Sequence, residues 1–328
     1  MSVPAEWAPH RAMWLGFPSH LELWLDDLAA AQVQVAQLAR KLADPGRERV
    51  KLLACGEDGL RAAEILCGGV AGIEIIAARF GDIWLRDTGP IFTGPGRAAA
   101  FAFNGWGGKY RLAGDAAVAG EIAGLAGAAV DRHGFVLEGG AVDHDGEGTA
   151  LTTRQCLLNP NRNPHLDRGQ IEEYLRGYLG VSNILWLGDG IVGDDTDGHV
   201  DDITRFVSGD TVVTAVENDP DDENYEPLQA NLERLGDMTD QDGRPLRIVT
   251  LPMPRPLYQD GQRLPASYAN FYIANGVVML PTYDPERDEE AAATLQDLFT
   301  DREIIGVDCT DLVWGLGAFH CVTQQWPA

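Results

Sequence analysis

The chain has 328 residues, which is enough to bury a large core in one domain or in two. Its apolar fraction of 45%, its charged fraction of 23% and its 38 glycines and 18 prolines indicate an ordered, loop-rich globular protein. The formal net charge of −25 argues against nucleic acid or an anionic membrane as a partner, because both require a basic surface, whereas a cationic ligand suits it.

The five cysteines form no Cys-x-x-Cys pair, and their odd number fits neither a thiolate zinc site nor a complete disulfide framework. The N-terminal segment lacks an apolar signal region, and no stretch of 18 apolar residues occurs. We therefore expect a cytoplasmic protein with no membrane partner.

The clearest helical periodicity runs from Leu25 to Leu42, and the turn at Asp44-Pro45-Gly46 predicts its end. Weaker helical patterns recur at intervals of roughly 54 to 64 residues. They cover residues 57–67, 115–126, 168–179, 225–235 and 288–299.

Short apolar and β-branched runs between these helices predict strands, which outnumber the helices roughly two or three to one. They include residues 50–54, 98–103, 149–153, 183–187, 211–216, 247–251, 270–274, 277–281 and 303–307. The regular spacing predicts an α/β fold built from a degenerate repeat of several strands and one helix. We expect one catalytic domain over residues 1–328.

Chemistry-capable side chains concentrate beside turn glycines in four segments, each predicted at a strand end or in a loop. In a repeat-built α/β fold, strand ends are places where loops from several modules can converge on one pocket. The segments are residues 81–90, 137–140, 193–202 and 315–321.

The Asp-rich third segment invites comparison with a calcium-binding loop. With Gly198 at the sixth position, Gly193 falls at the first and Thr204 at the twelfth, so two required ligands are missing. A catalytic metal held by His199, Asp201 and another carboxylate remains an alternative, because ligands two residues apart can share one side of a strand.

A cysteine hydrolase needs a thiolate, a histidine that carries protons and a group that orients the histidine. Cys321, His199 and the nearby carboxylates supply these parts. Each also has a structural interpretation alone: a small buried hydrophobe for Cys321, a hydrogen-bonded core histidine for His199, an Arg86–Asp87 ion pair and a capping role for Asp201.

Taken together, the ordered motifs resemble the agmatine deiminase branch of the guanidino-group-modifying superfamily, which includes the bacterial peptidyl-arginine deiminase type. The resemblance spans nearly the whole chain. It rests on residues 4–14, Trp84-Leu85-Arg86-Asp87-Thr88-Gly89-Pro90, Asn104-Gly105-Trp106-Gly107-Gly108-Lys109, Leu137-Glu138-Gly139-Gly140, residues 193–201, residues 268–276 and His320-Cys321-Val322-Thr323-Gln324-Gln325.

The resemblance implies a five-bladed α/β propeller (pentein) of ββαβ-type modules around a central active-site channel. It assigns the nucleophile to Cys321, proton transfer to His199 and guanidinium binding to Asp87 and Asp201. Paired carboxylates hold such a planar, delocalised cation by parallel hydrogen bonds.

Three further residues receive expected roles. The resemblance makes Glu138 an active-site residue that orients or charges His199, with direct substrate contact as the lesser option. We expect Trp84 to pack on the guanidinium or on the aliphatic stem, unless it is simply a buried tryptophan. We expect Asp195 to bind the distal end of the substrate.

The implied reaction is the hydrolysis of agmatine to N-carbamoylputrescine and ammonia through a thiouronium on Cys321, with no metal and no cofactor. Deimination of free or peptidyl arginine is the nearest alternative. An amidinotransferase, a metal-dependent hydrolase and a non-catalytic binding protein are more remote. The segment Leu316–Phe319 departs from the expected pattern, which leaves the local pocket shape open. A homo-oligomer is also left open.

Overall fold

The computed structural model describes residues 3–328 and contains five mixed sheets with a common plan. Each sheet contains an antiparallel strand pair and a strand that runs parallel to the central one after a helical connection. The expected α/β class and repeated plan are therefore present.

The strands are β1 (His10–Gly16), β2 (Val50–Ala54), β3 (Ile73–Ala77), β4 (Ile91–Gly94), β5 (Arg97–Ala102), β6 (Ala129–Val136), β7 (Val142–His144), β8 (Thr149–Thr153), β9 (Asn183–Leu187), β10 (Thr204–Phe206), β11 (Thr211–Val216), β12 (Arg247–Pro252), β13 (Tyr258–Gln259), β14 (Gln262–Arg263), β15 (Tyr272–Ile273), β16 (Val277–Thr282), β17 (Glu303–Asp308) and β18 (Thr323–Pro327).

The α-helices are α1 (Leu21–Trp24), α2 (Leu28–Ala43), α3 (Gly56–Cys67), α4 (Leu85–Thr88), α5 (Gly105–Gly108), α6 (Asp115–Leu125), α7 (Arg154–Leu157), α8 (Arg168–Leu179), α9 (Tyr225–Gly236), α10 (Pro285–Leu298) and α11 (Phe319–Val322). Single 3₁₀ turns cover Leu25–Asp27, Gly139–Ala141, Val200–Asp202, Tyr268–Asn270 and Leu312–Gly315.

Four sheets are consecutive in the chain, and the fifth joins its two ends. The consecutive sheets have the orders β4-β5-β6, β7-β8-β9, β10-β11-β12 and β15-β16-β17. The fifth has the order β18-β1-β2-β3, with β18 antiparallel and β2 parallel to β1. Strands β13 and β14 form a separate hairpin.

Helix α8 shows how local sequence defines one module. Asp167 and Gln170 form a reciprocal capping box at its start, and Gly180 ends it in the left-handed conformation with a φ of 70°. Between these signals, Ile171 and Leu175 follow a spacing of four residues and are buried in the module's core. Capping and amphipathicity together place the helix against its sheet.

A short helical turn precedes the outer antiparallel strand of each of the five mixed sheets. These pre-strand turns are α4, the 3₁₀ turns Gly139–Ala141, Val200–Asp202 and Tyr268–Asn270, and α11. Each contacts the next in chain order, and α11 contacts α4, so the five turns form a closed ring of contacts. All four polar segments contribute to this ring.

Two predicted boundaries are corrected. Asn270 is not in a strand: Ser267 caps a 3₁₀ turn at Tyr268–Asn270, and the strand begins at Tyr272. The first long helix begins at Leu28, because residues Leu25–Asp27 form a 3₁₀ turn. Within residues 3–328, no helix combines the length and apolarity needed to cross a bilayer.

Candidate active site

A cavity of about 830 Å³ extends to the ring of turns. Its lining includes Asp87, Trp84, Asp195 and Cys321. Cys321 is 6% exposed, so its thiol is reached only through this cavity. The proposed nucleophile is therefore both buried and accessible to a small ligand.

Gly140 lies where His199, Asp87 and Asp201 meet. A Cβ atom at Gly140 would be 2.6 Å from His199 Nδ1 and 3.0 Å from both Asp201 Oδ2 and Asp87 Oδ1. Cys321 Sγ lies 3.7 Å from Asp201 Oδ2. The structure thus brings together the four residues expected to carry the chemistry.

Two donors hold the Asp87 carboxylate, one from the ring of turns and one from α5. Gly140 N donates to Oδ1 at 2.9 Å, and Trp106 Nε1 donates to Oδ2 at 2.8 Å. Burial raises the pKa of Asp87, with His199 opposing the rise and Asp201 adding to it. The Arg86–Asp87 pair considered above does not form: Arg86 instead lies 3.2 Å from Glu6.

Asp201 has one engaged oxygen and one unpartnered oxygen. Oδ2 lies 2.6 Å from His320 Nδ1, whereas Oδ1 is buried without a hydrogen-bond partner. Burial favours the neutral acid, but the hydrogen bond and charge of His320, together with His199 and Arg205, outweigh it and lower the pKa of Asp201. Its free oxygen is therefore a charged acceptor.

His199 is fully buried, and neither ring nitrogen has a hydrogen-bond partner. Its backbone N–H is held by Asp194 and Thr196, at 3.2 and 3.1 Å. Burial opposes the charged ring, but Asp87, Cys156 and Glu138 raise the pKa of His199 well above its usual value. The protonated form of the ring is therefore favoured, and its Nδ1 lies 3.7 Å from Asp87 Oδ1.

Glu138 lies beside this imidazolium. The residue is buried, and its Oε1 accepts a 2.7 Å hydrogen bond from Arg162 Nε, whereas Oε2 has no partner. Ligand atoms of Glu138, Cys156 and His199 lie within 4.8 Å of one another. Glu138 is thus placed both to charge His199 and to accept a hydrogen bond from a ligand.

Burial raises the pKa of the Cys321 thiol well above its usual value, and Asp201, Asp202 and Asp87 raise it further. A cation bound among these carboxylates would offset their charge and favour the thiolate. Asn270 Nδ2 donates to Sγ at 3.1 Å.

Trp84 has both a structural contact and a cavity surface. Its indole N–H donates to Asp82 at 2.9 Å. Its ring packs so closely on Gly315 and Gly317 that a Cβ there would lie 2.9 and 2.5 Å from ring atoms. Trp84 also lines the cavity, where a ligand stem could pack on it.

Asp195 lines the cavity as expected, but its carboxylate already has partners. Tyr110 donates to Oδ2 at 2.5 Å, and Lys109 Nζ lies 3.5 Å from Oδ1. Its side chain is 36% exposed, which places it in a wetter environment than Asp87 or Asp201.

The two metal ligands considered above fall in different clusters. His199 groups with Glu138 and Cys156, whereas Asp201 groups with Asp202 and Cys321. The Asp-rich segment also has an internal explanation, because Asp194 accepts hydrogen bonds from the backbone N–H groups of Thr196 and Gly198, each at 2.7 Å.

Several site residues were not identified from the sequence. Arg162 and Cys156 lie outside the four polar segments, and Asn270 lies in a segment that carried the resemblance without an assigned role. The repeat offered a signal for Asn270, because each of the other four pre-strand turns contains or directly follows a predicted site residue.

A buried thiol, imidazolium and carboxylates on a repeated α/β frame define a guanidino-modifying enzyme. The family model of the Porphyromonas-type peptidyl-arginine deiminases matches residues 2–327, and the chain belongs to this family. The expected resemblance is therefore confirmed, and with it a hydrolase that acts on guanidino C–N bonds.

Individual proteins of known structure or activity are similar to this chain over nearly its whole length. The agmatine deiminase of Pseudomonas aeruginosa is 38% identical, covering 99% of this chain and 95% of its own. The agmatine deiminase structure of Enterococcus faecalis has a TM-score of 0.94 at 32% identity, with 99% and 95% covered. A Porphyromonas gingivalis structure, provisionally described as an arginine deiminase, has a TM-score of 0.90 at 40% identity, with 99% and 98% covered.

Proposed function

We propose that this protein is an agmatine deiminase, which hydrolyses agmatine to N-carbamoylputrescine and ammonia through a thiouronium on Cys321. One observation carries the proposal. The buried acceptors Asp201 Oδ1, on the carboxylate beside the thiol, and Glu138 Oε2, on the carboxylate beside His199, lack partners, although buried polar atoms are nearly always hydrogen-bonded. A guanidinium supplies several N–H donors and a positive charge at this point.

The carboxylates define how the substrate binds. Asp87 and Asp201 accept N–H groups of the guanidinium, and Glu138 Oε2 provides a further acceptor. A planar cation held in this way presents its carbon to Cys321 perpendicular to the plane. Its charge also offsets the three aspartates that oppose thiolate formation, so substrate binding promotes loss of the thiol proton to water.

The first half of the reaction forms an S–C bond. The Cys321 thiolate attacks the central carbon, and a C=N electron pair moves to nitrogen to give a tetrahedral adduct. His199 then donates a proton to the departing nitrogen, and the C–N bond breaks to release ammonia. A thiouronium remains on Cys321, and His199 is neutral.

The second half regenerates the enzyme. Neutral His199 takes a proton from water, and the resulting hydroxide attacks the thiouronium carbon. Collapse of this adduct breaks the C–S bond, its electron pair returns to sulfur, and the hydroxyl proton is lost to water, which gives the urea product and the thiolate while His199 is again protonated. One histidine therefore serves in both proton transfers.

The outer cavity favours a cationic distal group. Asp82, Asp194, Asp195 and Asp260 line it, and a carboxylate would be repelled there, whereas the ammonium of agmatine would be attracted. Arg263 also lines the cavity, but its guanidinium lies 2.7 Å from Asp222. The presence of this arginine in the cavity lining favours the second candidate function, deimination of free or peptidyl arginine, because a guanidinium could bind the carboxylate of arginine.

A substrate panel tests the assignment. Ammonia release should show a higher kcat/KM for agmatine than for arginine or a blocked arginine peptide, and a chelator should leave the rates unchanged. Preference for either arginine substrate would replace the agmatine assignment and retain the chemistry. Activity that a chelator removes and one metal restores would overturn the cysteine mechanism.

We further infer that the five sheets are blades of a five-bladed α/β propeller in one domain over residues 1–328. The ring of pre-strand turns supports this, because it would surround a central channel that holds the site. We also propose a cytoplasmic location, since all five cysteines are free in the structure.

A further inference from the structure

Asn270 contacts the nucleophile directly. Its Nδ2 lies 3.1 Å from Cys321 Sγ, and its Oδ1 lies 2.9 Å from His320 N and 3.3 Å from Cys321 N. The side chain is fully buried. One carboxamide therefore holds both the backbone and the sulfur of the nucleophile.

The contacts fix the orientation of the carboxamide. Two backbone N–H groups can only donate, so the atom they face is the oxygen, and the NH₂ group must face the sulfur. The same Nδ2 lies 2.9 Å from Asp202 Oδ1, which occupies its second N–H. A rotated carboxamide would place its NH₂ against two other donors.

Asp202, which accepts the second N–H of Asn270, is buried close to the sulfur. Its carboxyl lies within 4.8 Å of ligand atoms of Asp201 and Cys321. Burial, followed by the charges of Asp201 and Asp194, raises the pKa of Asp202 well above its usual value. Protonation of Asp202, which this rise favours, leaves Oδ1 able to accept the Asn270 hydrogen bond and removes one negative charge beside the thiolate.

We propose that Asn270 is a catalytic residue whose N–H donates to the Cys321 sulfur, and that Asp202 is a positioning residue that fixes this donor. The proposal rests on the function proposed above. The N–H stabilises the thiolate before attack and again when the C–S bond breaks and its electron pair returns to sulfur. Asn270 also completes the repeat, because every pre-strand turn then contains or directly follows a site residue.

The test measures thiolate formation without substrate. Iodoacetamide alkylation of Cys321, followed by peptide mass spectrometry across pH, reports the apparent thiol pKa in a field set by Asp87, Asp201 and Asp202. In Asn270→Ala this pKa should rise by about one to two units, since a hydrogen bond to the charged form is lost. Alkylation of Cys55 provides an internal reference.

Three variants distinguish loss of the Asn270 hydrogen bond from general structural damage. Asn231 is also fully buried and holds the backbone of Gly188 and Asp189 outside the cavity lining, so Asn231→Ala should leave Cys321 alkylation unchanged. Asp202→Ala and Asp202→Asn both lose the carboxyl whose charge raises the Cys321 pKa, and only Asp202→Asn retains an acceptor oxygen for Asn270. The Cys321 pKa should therefore be higher in Asp202→Ala than in Asp202→Asn.

Turnover provides a second readout. Asn270→Ala should lower kcat about tenfold or more with KM within about threefold, because the proposed hydrogen bond is made to the sulfur and not to the guanidinium. An unchanged alkylation pKa in folded Asn270→Ala overturns the proposal, and if that variant does not fold, an equal Cys321 pKa in Asp202→Ala and Asp202→Asn does so. Failure of wild type to release ammonia from any guanidine would instead overturn the proposed function.

Discussion

The inner part of the site, around Cys321, and the outer end of the cavity, around Asp195, differ in whether their polar atoms already have partners within the protein. Around Cys321, His199 and Asp201 are fully buried and retain unpartnered polar atoms. At the outer end, Asp195 is partly exposed and already bound to Tyr110 and Lys109. The difference indicates that the inner part determines the reaction and the outer part adjusts the choice among guanidines.

The largest expected effect removes the inner nucleophile. Cys321→Ser should leave a folded protein and lower kcat by about three or more orders of magnitude, because a serine hydroxyl is a poor nucleophile without a strong dedicated base. Cys55→Ser, away from the cavity lining, is the matched control and should stay within about twofold. Near-normal turnover in folded Cys321→Ser would remove this thiol from the reaction.

The next effect tests whether the inner residues depend on close spacing. Gly140→Ala would place a methyl group 2.6 Å from His199 Nδ1, so kcat/KM should fall about 100-fold or more for every guanidine. Gly124→Ala provides the control, because a Cβ on that α6 glycine meets nothing within 4 Å. Full activity in folded Gly140→Ala would show that the site tolerates displacement.

A pH profile tests the charge balance of the inner part. The pKa of Cys321 is raised, so the thiolate is scarce near neutrality and becomes more abundant as pH rises. The pKa of His199 is also raised, so the proton donor persists over this range. From pH 6 to 8, log kcat/KM should therefore rise with a slope of about one. A flat or falling profile contradicts this assignment of charges.

The smallest effect belongs to the outer part. Because Asp195 is partly exposed and bound to two neighbours, Asp195→Asn should lower kcat/KM for agmatine by about fivefold, or about 1 kcal/mol. The loss for arginine should be smaller, since its carboxylate is not attracted there. Asp260→Asn is the control: an equal loss would mean that the outer end acts through summed charge and that Asp195 has no specific contact.

Hydrophobic patterns in the sequence correctly predicted helices and strands that are long enough to show such a pattern. The β-branched runs at 149–153 and 211–216 coincide with β8 and β11, and the helix expected at 168–179 coincides with α8. Strands β7 and β10 have three residues each, too few for a hydrophobic period to emerge, and were not predicted. The expected site residues were found because they occur in motif-like segments beside turn glycines.

Contacts between distant residues could not be predicted in this way. The partner of Asp201 is His320, and the partner of Glu138 is Arg162, and neither spacing follows a local rule. The partners of Asp195 were missed for the same reason, which led to an overestimate of its freedom. Periodicity describes one element at a time, whereas these contacts depend on how separate modules are placed.

The pairing of β18 with β1 has a consequence for folding. His10 lies opposite Pro327, so completion of this sheet requires contact between strands separated by nearly the whole sequence, and such nonlocal contacts form slowly. Cys321 lies on the turn immediately before β18. During synthesis, the carboxylates and His199 therefore emerge before the nucleophile, and the chain acquires its reactive thiol at the step that closes this sheet.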